Sequence, residues 1–404
     1  MRKHFLLISI ALFIFQCFSF GQGSAYTGTY TSSAPIVYSG ISNKTITGLA
    51  ISNKTGHCIS LTNCSNITIS NCKLGASKNE GVFLYKCTNI TVTNCTMDSI
   101  ETGVYAELSS GIKVIYNDVK NVQGPMPRGQ MAQFNNVSGG GNSISYNVAD
   151  NIPGQSSTED VISIFMSNGV VGDPIKVVGN WIRGGGPSGS GGGIMLGDYG
   201  GSHILVTDNI LVDPGQYGIS VASGTDISVK NNKIFGKQQS FTNVGLYIWN
   251  QTTTACSSDT IMNNQVNFTG SNGVQNNMWN AGNCGTVVGW STNVYDSSLS
   301  ASILPSKIIG RAKGVTTDLN TGVVANYKIF PNPVFSSSVV VTIDIPNNET
   351  ISISNSKGQN VIEKSISSTR TDIDTSSLTT GVYTVRISNS QGVIEARKIV
   401  VSKS

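Results

Sequence analysis

The sequence predicts an all-β protein, in which a parallel β-helix of about ten coils precedes a small C-terminal β-sandwich. The first ground is a repeat. TNCSNITISNCKL (62–74) returns as YKCTNITVTNCTM (85–97) and again as ELSSGIKVIYNDV (107–119), at spacings of 23 and then 22 residues. A period in that range marks a solenoid. The second ground is alternation. Each unit holds a short run such as ITIS, ITVT or IKVI, with apolar residues at every second place, which is the pattern of a strand. No helical pattern lies between these strands, so they do not form βαβ units. The third ground is a change of texture: the repeat dissolves after about residue 296, and from Tyr327 short alternating strands separated by turn residues follow.

The coils can be followed in both directions. Upstream lies ITGLAI (46–51). Downstream the strand ends on Asn117, Asn147, Asn180, Asn209, Asn232, Asn264 and, weakly, Asn293, in the column that Cys72 and Cys95 occupy earlier. At about 4.8 Å per stacked strand the solenoid extends roughly 45–50 Å. The Asn column is read as structural: stacked amides bond one another and otherwise unpaired backbone groups. A second strand precedes each of these by about ten residues: GVFL (81–84), GVYA (103–106), VISI (161–164), GIML (193–196), GISV (218–221) and GLYI (245–248). Its leading Gly suits a tight corner. Coil length stretches to roughly 30 residues between Asn117 and Asn209. Insertions of that kind form external loops and often mark a binding face.

The 404 residues carry only 12% charged side chains and a formal net charge of +4. That balance gives no basic patch for nucleic acid. At the N-terminus Arg2 and Lys3 precede an apolar run from Phe5 to Phe15 and the small-residue site Ser19-Phe20-Gly21, a secretory signal peptide over 1–21. The run is short of the roughly 20 residues that span a bilayer, and no later segment reads as transmembrane. Seven cysteines follow. Cys64 and Cys87 share one column, Cys72 and Cys95 another, and Cys256 and Cys284 sit at similar places in the last coils, while Cys58 is left over. Disulfides or reduced core thiols are expected rather than a metal site, because no Cys-x-x-Cys pair exists and His is scarce.

After a solenoid over 22–295, residues 296–326 read as a linker or a short cap, and 327–404 as the sandwich. Phe330-Pro331-Asn332-Pro333, Leu378-Thr379-Thr380-Gly381-Val382-Tyr383 and Lys398-Ile399-Val400-Val401 closely resemble the C-terminal sorting domain of the type IX secretion system. The resemblance implies the type IX secretion machinery as a partner, passage across the outer membrane, and release or surface attachment. The solenoid resembles the right-handed parallel β-helix of the pectin-lyase-like superfamily, many members of which are polysaccharide lyases or glycoside hydrolases. A fold alone does not fix a function.

The leading site candidate is STEDVISIF, where Glu159-Asp160 directly precedes a strand in an inserted coil. Neighbouring carboxyls push their pKa values apart, as an acid and a base require. Residues 159–164 are similar to the polygalacturonase stretch in which two Asp precede Cys-Ile-Ala-Ile. Where that family places Gly-His-Gly one coil later, this chain has Gly191-Gly192-Gly193, and the Arg-Ile-Lys motif has no match. Arg128 and Arg183 could bind or neutralise a uronate, Tyr199 or Tyr217 could supply a phenol, and His203 stands in a Gly-rich turn one coil on. Glu101, Gln130, Asp198, Gln216 and Tyr217 are expected to bind substrate, on the same side as Lys120, Asp150 and Asp213. His57 opens an early coil, away from the acidic pair. The stretch 184–193 reads as a mobile loop over the groove. No cofactor is specified by the sequence; calcium could be held by the oxygen ligands of Asp198, Asp213 or the acidic pair, although no EF-hand spacing is present. These residues predict a secreted enzyme that cleaves an acidic polysaccharide by elimination or hydrolysis. The alternative is a non-catalytic glycan-binding protein or adhesin.

Overall fold

The computed structural model describes residues 23–310, and 328–403 apart from 336, 343–348, 356–358, 367–369 and 390–391. The signal-peptide segment and residues 311–326 of the expected linker lie outside the described residues. The chain divides into two compact units at residue 312.

The first unit is a three-sided solenoid in which every strand pairs in parallel with the equivalent strand one coil away. Sheet I runs from Ile36–Ser39 to Met278–Asn280, which counts ten coils as the repeat predicted. Sheet II starts at Ser42–Thr47 and ends at Thr260–Met262. The long strand Ile194–Thr207 bends from sheet I into sheet II and joins them. Sheet III has eleven strands, from Thr31–Ser32 to Val294–Tyr295.

Alternation explains why each strand lies flat on the core. In sheet II the inward column Ile46, Ile69, Val92, Val114, Ile144, Val177, Val206, Val229 and Ile261 stacks in unbroken register. All nine are buried. Each contributes about 1.5–3 kcal/mol of apolar burial. β-branched side chains also suit a column, since their single preferred rotamer packs repeatedly on itself.

The turn from sheet II to sheet III holds the Asn ladder. Asn180 donates from Nδ2 to Ile144 O and to Asn209 Oδ1, both at 2.9 Å. Its Oδ1 accepts the backbone N–H and Nδ2 of Asn147 at 3.0 and 3.1 Å. The same motif joins Asn117 through Asn293, and Cys95 N donates into it at Asn117. Cysteine divides between the two expected states. Cys256–Cys284 is a disulfide, whereas Cys58, Cys64, Cys72, Cys87 and Cys95 are buried free thiols.

Residues 296–310, read from composition as a linker or a short cap, are packed structure. Leu304 and Ile308 are buried against Val148 and Val212 on the outer face of sheet III. Arg183 holds this strap by donating from Nη1 to Ser306 O (2.8 Å) and from Nη2 to Pro305 O. The small apolar residues left linker and cap both open because their partners are supplied by coils far away in sequence.

The second unit is an antiparallel sandwich. One sheet comprises Lys328–Phe330, Ser338–Thr342 and Arg370–Asp374; the other Thr350–Ser354, Asn360–Ser365, Gly381–Asn389 and Gly392–Val401. Val339, Val341, Ile351, Ile353, Val385 and Ile387 are among its core residues. The Pro-Asn-Pro motif has a visible role: Asn332 donates to Lys398 O (3.0 Å) and accepts from Val400 N (2.9 Å). Tyr383 donates back to Thr379 O at 2.9 Å, which ties the Thr-Thr-Gly turn to its strand.

Candidate functional site

The turn from sheet III into sheet I carries the polar residues. Counting two residues back from the first paired residue of each sheet I strand gives Glu80, Thr102, Gln130, Asp160, Gly192 and Tyr217 in successive coils. One residue earlier, Glu101, Glu159 and Gln216 share a second row. Stacking sets the pitch at about 4.8 Å per coil. Outward side chains of sheet I, including Ser163, Met195, Ser220, Tyr247 and Trp279, form the floor beside these rows.

Asp160 is the centre of this arrangement. It is 9% exposed, and its Oδ1 accepts Gly192 N at 3.1 Å and the phenol of Tyr217. Burial pushes its pKa up to about 7; the two donors oppose that rise, and the charges of Glu159 and Asp198 add to it. Both donors converge on Oδ1, which leaves Oδ2 to carry a proton. Tyr217, itself buried, is raised well above a normal phenol by burial and by Asp160, so it remains a donor.

The Gly at the expected His position is what permits this contact. A Cβ at Gly192 would lie 2.6 Å from Tyr217 Cδ2 and 2.7 Å from Cγ. Without a side chain there, the ring of Tyr217 lies over the intervening coil and reaches Asp160.

Glu159 accepts Ser190 Oγ at 2.7 Å, and Gln216 Nε2 donates to Gly189 O. The Gly-Ser stretch 184–193 is therefore bonded to the groove wall at two points. Across the floor stand Asp198, whose carboxyl is raised by burial, and Tyr199, which is exposed and tilts against Phe165 at 5.6 Å.

Three coils towards the N-terminus, about 14 Å along the axis, the same column holds Glu80. His57 Nδ1 lies 2.7 Å from Glu80 Oε2 and Arg128 Nε lies 3.0 Å from Oε1. Burial opposes ionisation of Glu80, but the bond to His57 and the charges of His57 and Arg128 outweigh it and hold the carboxyl below its usual range. Arg128 also covers the Tyr105 ring at 4.0 Å, and Phe83 stacks between Tyr105 and His57. Burial, and then the nearby Glu80 charge, raise Glu101. Glu80 escaped the sequence reading, although KNEGV repeats one coil before IETGV and in the same column as TEDVI.

Several expected site residues go elsewhere. Arg183 lies on sheet III, 3.9 Å from Asp150 and bonded to the strap. Lys120 and Asp150 pair on that same sheet, and Asp213 binds Lys237 at 3.3 Å. His203 sits on the corner from sheet I to sheet II, with Nδ1 2.6 Å from Asp226 Oδ2. Gln130 is buried and engaged with Thr102 (3.1 Å) and Pro127 O (3.0 Å), so it braces the loop before its strand. Among the described residues, no three His, Cys, Asp or Glu side chains gather as a metal site. Nor does any helix among them have the length and apolarity to cross a membrane.

Residues 34–193 match the family described as right handed beta helix region, and residues 328–402 that described as secretion system C-terminal sorting domain. No curated protein is significantly similar to the chain. Among solved structures, the chain is similar to the catalytic domain of a GH87 alpha-1,3-glucanase in complex with nigerose, at 14% identity and TM-score 0.46 over 64% of this chain and 50% of that one. It spans about half the length of that domain. It is also similar to the enzymatically active domain of tailspike protein 2 of bacteriophage CBA120 (8%, TM-score 0.38, 92% and 66% covered). A third is a mannuronic acid specific polysaccharide family 6 lyase from human gut microbiota (10%, TM-score 0.28, 62% and 76% covered).

Proposed function

We propose that this chain, a right-handed β-helix carrying a secretion system C-terminal sorting domain, is an exported enzyme that hydrolyses a polysaccharide in the groove of sheet I. One observation carries the reading: a buried carboxyl with a pKa of about 7, Asp160, stands next to Glu159 and within the electrostatic reach of Asp198. A carboxyl that keeps its proton near neutrality is a general acid for the leaving glycosidic oxygen, while an ionised neighbour activates water or attacks the anomeric carbon. Glu159 and Asp198 are the neighbours available for that second role.

Hydrolysis is favoured over β-elimination by the fate of the arginines. An eliminating enzyme neutralises the uronate carboxylate so that the adjacent C–H can be removed. Arg128 is already paired with Glu80, and Arg183 is bonded to the strap on another face. The sorting domain would direct export, ending in release or surface attachment.

The test is to incubate the purified mature protein with a broad polysaccharide panel and follow reducing ends together with absorbance at 235 nm. Reducing ends without absorbance, lost in Asp160→Asn, are expected. Growth of absorbance would make it a lyase. Silence on both channels, with retention on a glycan gel, would make it a binding protein.

A further inference from the structure

From Gln238 to Tyr295 the chain contains one charged side chain, the buried Asp259. The rest of these last coils is Asn, Gln, Ser, Thr, Gly, Cys, Met, aliphatic and aromatic residues. Within this stretch two tryptophans stand out from sheet I. Trp279 pairs in register with Tyr247, and Trp249 lies two residues beyond Tyr247 on the same outer face. Trp249 is 42% and Trp279 45% exposed, with ring centroids 5.7 Å apart at 58°. Tyr247 closes the cluster 6.3 Å from Trp279, and its hydroxyl accepts Gln251 Nε2 at 3.0 Å. Large apolar rings left half in water beside amide side chains are poorly accounted for by folding alone.

The turns that follow these strands are fastened twice. The Cys256–Cys284 disulfide joins them, and Asn283 receives Asn250 N on Oδ1 (2.9 Å) while giving Nδ2 to Asn250 O (3.0 Å). The cluster is therefore held before any ligand arrives, which removes part of the ordering cost of binding.

We infer that Trp249 and Trp279, backed by Tyr247, form a glycan subsite for uncharged sugar rings, three to four coils beyond Asp160. This rests on the glycan-groove reading above and gives its substrate class: a neutral polysaccharide held along the groove, in place of the acidic one that sequence predicted. Aromatic faces bury the C–H surface of a pyranose, and the adjoining amides satisfy hydroxyls. A uronate would leave its charge unpaired on this surface, a penalty that a neutral ring avoids. At about 4.8 Å per coil the platform lies roughly 14–19 Å from the acid, so a chain must extend well past the cleavage point to use it.

The experiment is tryptophan-fluorescence titration of the mature protein and of its Asp160→Asn, Trp249→Ala and Trp279→Ala variants. The probes are neutral gluco-, manno- and xylo-oligosaccharides, and oligogalacturonates of matched length. Expected is saturable binding of one neutral series, insensitive to added salt and retained in Asp160→Asn. Each Trp variant, checked for an unchanged melting temperature, should weaken it by about tenfold, which corresponds to about 1.4 kcal/mol. The inference is overturned if oligogalacturonate binds more tightly and salt weakens it, if no neutral series binds, or if folded Trp variants bind as wild type does. Cleavage lost in Asp160→Asn with binding kept separates the two readings, and cleavage without Trp-dependent binding sinks only this one.

Discussion

Tyr217 donates its phenolic hydrogen to Asp160 across an intervening coil, through the gap left by Gly192. The contact joins two buried groups that are 57 residues apart in sequence, and it opposes the rise that burial imposes on the pKa of the candidate acid. Tyr217→Phe removes a donor to the ionised carboxylate, so the pKa of Asp160 should rise further. A hydrogen bond to a charged group contributes about 1.5–3 kcal/mol, equivalent to about one to two pH units. The alkaline limb of kcat/KM against pH should move upward by that amount, and Gly192→Ala, by displacing the ring, should do the same.

Stability should fall as pH rises. The folded pKa values of Asp160 and Asp259 are about 7, above the ordinary 3.8. Their contribution is fully present below pH 3.8 and is lost as pH rises through 7. Each group weighs on the order of 4 kcal/mol when fully ionised. Thermal melts of the β-helix should therefore drop between pH 4 and 8, and Asp160→Asn and Asp259→Asn should each flatten the curve. An unchanged slope in both variants would refute the assignment.

Arg183→Ala tests a residue that the sequence made catalytic. Its guanidinium holds the carbonyls of Pro305 and Ser306. The variant should keep its cleavage rate while residues 296–310 become susceptible to limited proteolysis. Loss of activity with the strap intact would return Arg183 to the groove.

Asn180→Ala should be among the costliest single substitutions in the solenoid. It strands Asn147 N and removes one bond each from Ile144 O, Asn147 Nδ2 and Asn209 Oδ1 in a fully buried column. At about 1–3 kcal/mol for the stranded donor and about 1 kcal/mol for each further bond lost, a loss above about 3 kcal/mol is expected from denaturant unfolding.

The solenoid was legible because its information is periodic: ITIS, ITVT and IKVI declare the strand, and the Asn column declares the turn. The sandwich was legible from Asn332 and the Thr379–Tyr383 turn, whose bonds are local motifs. The site was legible only in part. Glu159 and Asp160 stood out as adjacent carboxyls, and Tyr217 and Asp198 lay among the candidates, yet nothing in the local sequence announces that Tyr217 reaches back two coils. Arg183 misled for the opposite reason, since its partners at 305 and 306 are more than a hundred residues away. Glu80 was missed because its column becomes visible only when the coils are superposed by strand register. The tryptophans were overlooked because, taken singly, an exposed ring in a β-rich chain looks like core.

The single pitch of the coils makes the solenoid a ruler. Acid and aromatic platform are fixed to it at graduations set by the number of turns between them, with no independent adjustment. Because the strands of each coil pair only with those of the adjoining coils, removing one turn between Ser220 and Tyr247 would bring the two marks closer by about 4.8 Å while leaving both intact. The length of fragment cut from a bound chain would then be an integer property of the backbone, open to change by insertion or deletion of whole turns rather than by substitution.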